Sequence, residues 1–336
     1  MRNPLQTLLM CVVFLVVYTT PISAKNLNNY VPVLESVKQQ AFKVDPKKGY
    51  LVEKVKPNVY IITDGIWQSA FVTTGEGVIV IDAPQSFAKH LLPAIKETTK
   101  QPIKLLIYSH SHTDHIGGSA MLADKTPGLR ILAHQSISKL LAQKKDPRRV
   151  IPTETYAENH VVKMGSEEIQ LNLHGNYHSR ESDVFIFLPK HKFLMVIDSI
   201  TPGYAPFMGF SLTSNFHEYL HMFDDILAYD FDVFVGGHLS QVGTKDDVRV
   251  SQAYTKDVYE TVKRVHANTD EFRIMADTAK VIGWDNKYLL FKTFLDHVIA
   301  KSAREIEKRW IDKLAGVDVW SESHARTALI YVRWDD

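Results

Sequence analysis

Within six consecutive residues the chain places four side chains able to bind a divalent cation: His110, His112, Asp114 and His115, in the run Ser109-His110-Ser111-His112-Thr113-Asp114-His115-Ile116-Gly117-Gly118. Imidazole nitrogen and carboxylate oxygen are hard-to-borderline donors that suit Zn2+ or a similar ion. Packed this tightly, they carry a desolvation cost unless something cationic neutralises them. On an irregular turn, residues at i, i+2, i+4 and i+5 can converge on two points, which argues for two metal ions. Upstream, Pro102 to Tyr108 is a short, nearly unbroken apolar run, the pattern of a strand buried on both faces. Downstream, Gly117-Gly118-Ser119 leads into a helix start at Ala120-Met121-Leu122-Ala123. The donors therefore stand at the carboxyl end of a buried strand, where α/β proteins place their sites.

His-x-His-x-Asp-His after a buried strand resembles the signature of the metallo-β-lactamase superfamily. The resemblance extends from about Val55 to Gln241 and implies an α/β protein, an αββα sandwich with a dinuclear metal site. Leu171-Asn172-Leu173-His174-Gly175-Asn176-Tyr177-His178 resembles the segment that delivers the family's next histidine, assigned as His178. His174, four residues earlier inside the alternating strand, is the competing candidate. Phe193-Leu194-Met195-Val196-Ile197-Asp198-Ser199 resembles the strand ending in an aspartate that bridges both metals, hence Asp198. Phe231-Asp232-Val233-Phe234-Val235-Gly236-Gly237-His238 resembles the last ligand strand, hence His238. Gly77-Val78-Ile79-Val80-Ile81-Asp82-Ala83 resembles the strand whose terminal aspartate, Asp82, supports the ligands from behind. By this resemblance His110, His112 and His178 hold one ion, Asp114, His115 and His238 hold the other, and Asp198 joins them, with zinc the expected metal. Tyr177 and the following Ser179-Arg180-Glu181-Ser182 depart from the family's Gly-His-Thr-Pro-Gly-like turn, so substrate contacts on that loop are not carried over.

Two divalent ions roughly 3.5–4 Å apart share a water whose pKa falls toward ~7. The resemblance thus implies a hydrolase that attacks with a bridging hydroxide and needs no serine or cysteine nucleophile. Asp114 is the expected catalytic residue, steering that hydroxide or passing a proton to the leaving group. The antibiotic-degrading members generally carry cysteine or a non-ligand residue where Asp198 stands, so the chain does not read as a typical β-lactamase. Lactone or ester hydrolysis is the expectation; β-lactam, phosphodiester and sulfate ester hydrolysis are the alternatives. His112 stands where related di-iron redox proteins carry carboxylate, and a non-enzymatic relative would be expected to miss ligands. Thr201 to Phe210 is rich in aromatic residues, making Tyr204, Phe207 and Phe210, with Tyr177 and Trp67, candidates for a substrate pocket. Such a wall implies a substrate with an apolar part. The alternative is that Phe207 and Phe210 pack under a helix starting near Asn215. His217 and His221, four apart on a predicted helix, read as surface residues.

Arg2, the apolar stretch Leu8 to Tyr18 and the Pro21-Ile22-Ser23-Ala24 cleavage region read as a signal peptide over residues 1–24. Its apolar core is shorter than the roughly 20 residues of a membrane-spanning helix. The expectation is an exported protein, periplasmic or secreted, without stable membrane insertion after cleavage. The single cysteine, Cys11, falls in this segment, leaving only nitrogen and oxygen donors for the metals. The full chain has 39 basic and 38 acidic residues, and removing Arg2 with the segment leaves 38 of each. A balanced charge argues against a nucleic-acid partner, which calls for a basic face; the expected partner is a small-molecule substrate. Residues 25–54 read as a lead-in, 55–244 as the catalytic domain and 245–336 as a helical extension. Val258, Val262 and Val265, then Leu289, Phe294 and Ile299, recur at helical spacing there. The extension is expected to pack on the domain or on a partner subunit in a homodimer, and Thr327 to Val332 to end the chain as a strand.

Overall fold

Runs rich in Val, Ile, Leu and Phe assemble two β-sheets. The structure, a computed structural model, describes residues 27–179, 183–239 and 241–336; the expected signal segment with Cys11, and Arg180, Glu181 and Ser182 of the His178 turn, lie outside them. Residues up to Val31 form one unit, whose described part carries a short 3-10 turn at Leu27–Asn29; Pro32–Asp336 form the other. In the larger unit the first sheet has the order β1 (Leu51–Lys56), β2 (Val59–Thr63), β3 (Gln68–Thr73), β4 (Val78–Ile81), β5 (Ile103–Ile107), β6 (Arg130–His134) and β7 (Glu154–Tyr156). Its first four strands are antiparallel neighbours, and β4 to β7 are parallel. The second sheet comprises β8 (His160–Met164), β9 (Glu167–Leu173), β10 (Val184–Leu188), β11 (Phe193–Met195) and β12 (Val233–Val235), in reverse order across the sheet. It is antiparallel except for the β11–β12 pair.

The helices are α1 (Glu35–Gln40), α2 (Ala88–Thr98), α3 (Thr113–Ile116), α4 (Ser119–Asp124), α5 (Gln135–Lys144), the irregular α6 (Met208–Leu212), α7 (Phe216–Ala228), α8 (Lys245–Ala267), α9 (Glu271–Ile282), α10 (Lys287–Trp310) and α11 (Val317–Trp334). The period of two along a strand sorts side chains into layers. Ile79 and Ile81 of β4 face the second sheet and pack in one core with Ile169, Leu171, Ile186 and Met195. Val78 and Val80 face outward and meet Leu91, Ile95, Ile137 and Leu141 of α2 and α5. On the other side, Phe185, Leu194 and Phe234 pack against Tyr219, Phe223, Tyr254, Val258, Phe294 and Leu329 of α7, α8, α10 and α11. Each such side chain contributes roughly 1.5–3 kcal/mol when fully buried. The layers are therefore helix, sheet, sheet, helix, and the C-terminal helices pack on the domain of their own chain. Among the described residues no helix is long and apolar enough to cross a membrane.

Two expectations need revision. Thr327 to Val332 is helical, inside α11. Its β-branched and aromatic residues suggest a strand locally, yet Ala325, Ala328 and Leu329 are buried while Arg326 and Ile330 are exposed, a helical period. The boundary expected between residues 54 and 55 falls inside β1, an edge strand whose exposed Glu53 and Lys54 hide its signal.

Far along the chain from the metal-ligand motif, Glu167 is buried and accepts from His191 Nε2 at 2.6 Å, Asn58 Nδ2 at 3.0 Å and Lys190 Nζ at 3.1 Å. Burial alone would raise its carboxyl pKa, but these donors outweigh it and hold it at about 2. A depressed carboxyl contributes stability above its ordinary value and loses it as pH falls through the native value. Glu167→Ala is expected to cost about 3 kcal/mol at pH 7 by urea denaturation, the scale for removing one partner of a buried pair, here Glu167 with His191. The gap between wild type and variant should narrow at pH 3; a gap independent of pH would refute this role.

Candidate metal centre

Four loops bring the donor residues to one edge of the sandwich, all of them at strand ends. His110 follows β5, and the next turn supplies His112, Asp114 and His115 at the start of α3. His178 lies between β9 and β10, Asp198 follows β11 and His238 follows β12. Gly236 permits the closest approach, because a Cβ there would stand 1.9 Å from the Ile200 carbonyl oxygen. Asp198 and Asp82 both have left-handed backbones, with φ of 58° and 62°. Aspartate tolerates that region better than most residues.

The seven residues divide into two groups that share Asp198. In the first, His178 Nε2 lies 3.0 Å from His112 Nδ1 and 3.1 Å from Asp198 Oδ2, and His110 Nε2 lies 3.5 Å from that same oxygen. In the second, Asp198 Oδ1 lies 2.8 Å from His238 Nε2 and 3.2 Å from His115 Nε2. Asp114 Oδ2 completes it, 3.6 Å from His115 Nε2 and 3.8 Å from His238 Nε2. Around a tetrahedral zinc with bonds of roughly 2 Å, donors stand about 3.3 Å apart, which is the spacing found. His110 Nε2 and Asp198 Oδ1 are buried without a hydrogen-bond partner among the described residues. Imidazole nitrogens this close, His178 Nε2 to His112 Nδ1 at 3.0 Å and His115 Nε2 to His238 Nε2 at 3.1 Å, converge with Asp198 on shared centres. The residues fit a pair of divalent ions.

Charge balance supports the same view. Burial alone would lower the His115 pKa, but Asp198, Asp114 and Asp82 raise it to about 9. Burial would likewise raise Asp198, yet His115 and His178 hold it well below the ordinary carboxylate range. Asp198 and its neighbours thus favour protons on His115 and His178, which a bound cation would displace, while burial favours neutral His110 and His112. Asp114 and His238 form the open side, with side chains 42% and 29% exposed.

Behind the donors, Asp82 is fully buried and accepts from the Ser109 N–H at 2.8 Å and the Ser109 hydroxyl at 2.6 Å. Burial pushes its pKa up to about 6. Because the Ser109 proton goes to Asp82, His110 Nδ1–H donates to Ser109 Oγ, at 3.0 Å, leaving His110 Nε2 free. Asp82 Oδ2 also lies 3.9 Å from His115 Nδ1. His178 Nδ1–H donates to the Ser211 carbonyl at 2.5 Å, which frees its Nε2 in the same way. Supporting contacts of this kind fix tautomer and ring orientation.

Two further supports were not anticipated. Buried Asp183 accepts from the backbone N–H groups of His178 and Ser179, at 2.8 and 3.0 Å, and so holds the turn carrying the ligand. Its only sequence cue is its position after the departing Ser179-Arg180-Glu181-Ser182 turn. The other support is α6, where Gly209, Phe210, Ser211 and Leu212 have φ between 56° and 60°. A left-handed turn costs roughly 1–2 kcal/mol for each L-residue, so the surroundings must impose it.

His174 does not join the centre; it faces Tyr229 Oη at 2.9 Å and stacks on Phe185, which leaves His178 in the ligand position. The expected pocket wall is partly corrected. Phe210 is fully buried against Phe216, Tyr219 and His324, and Tyr177 is buried against Phe185 with its hydroxyl donating to the Ile197 carbonyl. Both are core residues, because the β-sheet behind them needs aromatic cover. Tyr204 bridges by its backbone to Ala315. Phe207 is 49% exposed and packs edge-on to Trp320. Trp67 borders the centre: its Nε1–H donates to Asp114 Oδ2 at 3.4 Å, and its backbone pairs with that of His238. His217 and His221 are exposed, with rings 4.6 Å apart.

An αββα sandwich with two groups of nitrogen and oxygen donors at one edge carries a candidate dinuclear metal centre. A sequence profile of the metallo-beta-lactamase superfamily matches residues 63–238, and the chain belongs to that superfamily. Among solved structures, the metallo-beta-lactamase from Pontibacter korlensis superposes with a TM-score of 0.53 at 19% identity, covering 61% of this chain and 97% of that one. Metallo-beta-lactamase IND-7 superposes with a TM-score of 0.53 at 18% identity, covering 63% and 100%. These likenesses are of fold. Among curated proteins, the chain is 26% identical over 200 residues to the 2,4-dinitroanisole O-demethylase subunit alpha of Nocardioides sp. (strain JS1661). The match takes in 58% of this chain and 59% of that relative's length.

Proposed function

We propose that this protein is a zinc-dependent hydrolase acting on a lactone or carboxylic ester with an apolar part. The observation that carries the metal-dependent reading is the division of the Asp198 carboxylate, one oxygen in each donor group. A bound ion pair supplies Lewis acidity and an acidified water. Asp114, on the open side and held by the Trp67 indole, is the group that takes up a proton and returns it to the leaving oxygen. Asp82 and Ser109 keep His110 in the required tautomer. The apolar preference rests on exposed Ile66 beside Trp67, and on Phe207, Met208 and Leu212 in the segment that meets His178. The signal peptide read in residues 1–24 puts this reaction in the periplasm or outside the cell, as part of the same proposal.

The curated relative's name supports a second reading, O-demethylation of an aryl methyl ether. A panel of lactones, esters, phosphodiesters, sulfates, β-lactams and 2,4-dinitroanisole, offered to zinc-loaded protein, separates the two. The expected result is ester or lactone turnover that a chelator abolishes and zinc restores. Turnover of dinitroanisole or a β-lactam alone would transfer the assignment to that class. Two bound zinc ions with no turnover of any of them would overturn the enzymatic reading.

A further inference from the structure

We propose that His324 of α11, with Ser323 and Tyr254, is a positioning residue for His178, so that the C-terminal helices complete the metal centre. The inference rests on reading the donor cluster as a metal site. The helices lie outside the matched residues 63–238, yet a continuous set of contacts joins them to the cluster. Tyr254 Oη donates to His324 Nδ1 at 2.7 Å, so the opposite nitrogen carries the proton, and His324 Nε2–H faces the Phe207 carbonyl at 3.3 Å. The same imidazole stacks on Phe210 with ring centroids 4.4 Å apart. One residue before His324, the Ser323 hydroxyl accepts from the Gly209 N–H at 3.1 Å.

These contacts grip the first half of the left-handed turn, at Phe207, Gly209 and Phe210. Its third residue, Ser211, presents the carbonyl that accepts from His178 Nδ1–H. Just beyond, the Thr213 hydroxyl donates to the Tyr177 carbonyl, which ties the turn to the residue preceding the ligand. A left-handed run of this kind does not persist on local preference and is held by what surrounds it. His324 is fully buried and its ring meets only the turn and α8 in these contacts, so its two nitrogens are spent on this grip. Should the turn relax, the Ser211 carbonyl leaves His178, whose ring is then free to rotate or change tautomer.

The test compares His324→Phe, which keeps the stacking and removes both hydrogen bonds, with His324→Gln, which can accept from Tyr254 and donate to Phe207. Phe294→Leu, in α10 away from the turn, serves as a control of similar stability loss. Zinc affinity is measured by competition with a chromophoric chelator, and the geometry of the first group by the visible spectrum of cobalt-substituted protein. His324→Phe is expected to weaken one of two zinc sites by roughly 10–100-fold, the usual cost of losing a ligand's support, and to shift the cobalt bands. His324→Gln should restore most of both, and Phe294→Leu should change neither. Wild-type affinity and spectrum in His324→Phe, or equal weakening in Phe294→Leu at matched melting temperature, would overturn the proposal. If wild-type protein binds no zinc, the metal reading itself fails. The downfield Nδ1 proton resonance of His178 in unloaded protein then decides: its loss in His324→Phe alone supports positioning, and its persistence refutes it.

Discussion

Asp198→Gly should reduce zinc content from two ions per chain to fewer than one and abolish turnover, a loss well beyond 100-fold. About 100-fold is the ceiling for losing a group that merely supports a ligand, and Asp198 supplies a donor oxygen to each group. Glycine is the informative replacement because it accepts the φ of 58° without strain. Alanine would add a backbone cost unrelated to the metal. The backbone tie from Asp198 N–H to the Gly236 carbonyl survives the change, so the sandwich should remain folded. Metal content by mass spectrometry, with circular dichroism as the control, checks the result; a variant that still carries two ions defeats the dinuclear assignment.

The second large effect separates the two groups. His112→Ala removes a donor from the group containing His110 and His178, whereas Asp114→Ala removes one from the group containing His115 and His238. Each variant should retain one ion in the untouched group and lose more than 100-fold in turnover. Neither His112 nor Asp114 is buried, so truncation leaves no large cavity and melting temperatures should stay within a few degrees of wild type. Full activity in either variant would contradict a reaction that needs both ions. Equal loss of both ions from both variants would mean that the groups bind as one unit.

Most strands were legible from the chain because strand-forming residues, apolar on both faces, announce themselves: β4, β5 and β11 lie where their apolar runs predict. Strands with weaker contrast were not. β1 is an edge strand with charged residues, and β7 has three residues, one of them buried. Local preference also misled at Thr327 to Val332, where packing on α8 and α10 imposes a helix. The aromatic wall divided for a similar reason. Phe210 and Tyr177 follow the hydrophobic demand of the second sheet, while Trp67, from a distant hairpin, meets Asp114.

Ligand chemistry is a local property, written in residue types and short spacings, so His110, His112, Asp114 and His115 could be recognised before any fold was known. His178, Asp198 and His238 were assigned by their order along strands that resemble a known family's. What required the folded chain was the sharing of Asp198 between two groups, the support of Asp183, and the hold of α11 on Ser211 and His178. Those contacts join residues five to more than a hundred positions apart, and no local pattern encodes which side chains a packed interior brings face to face.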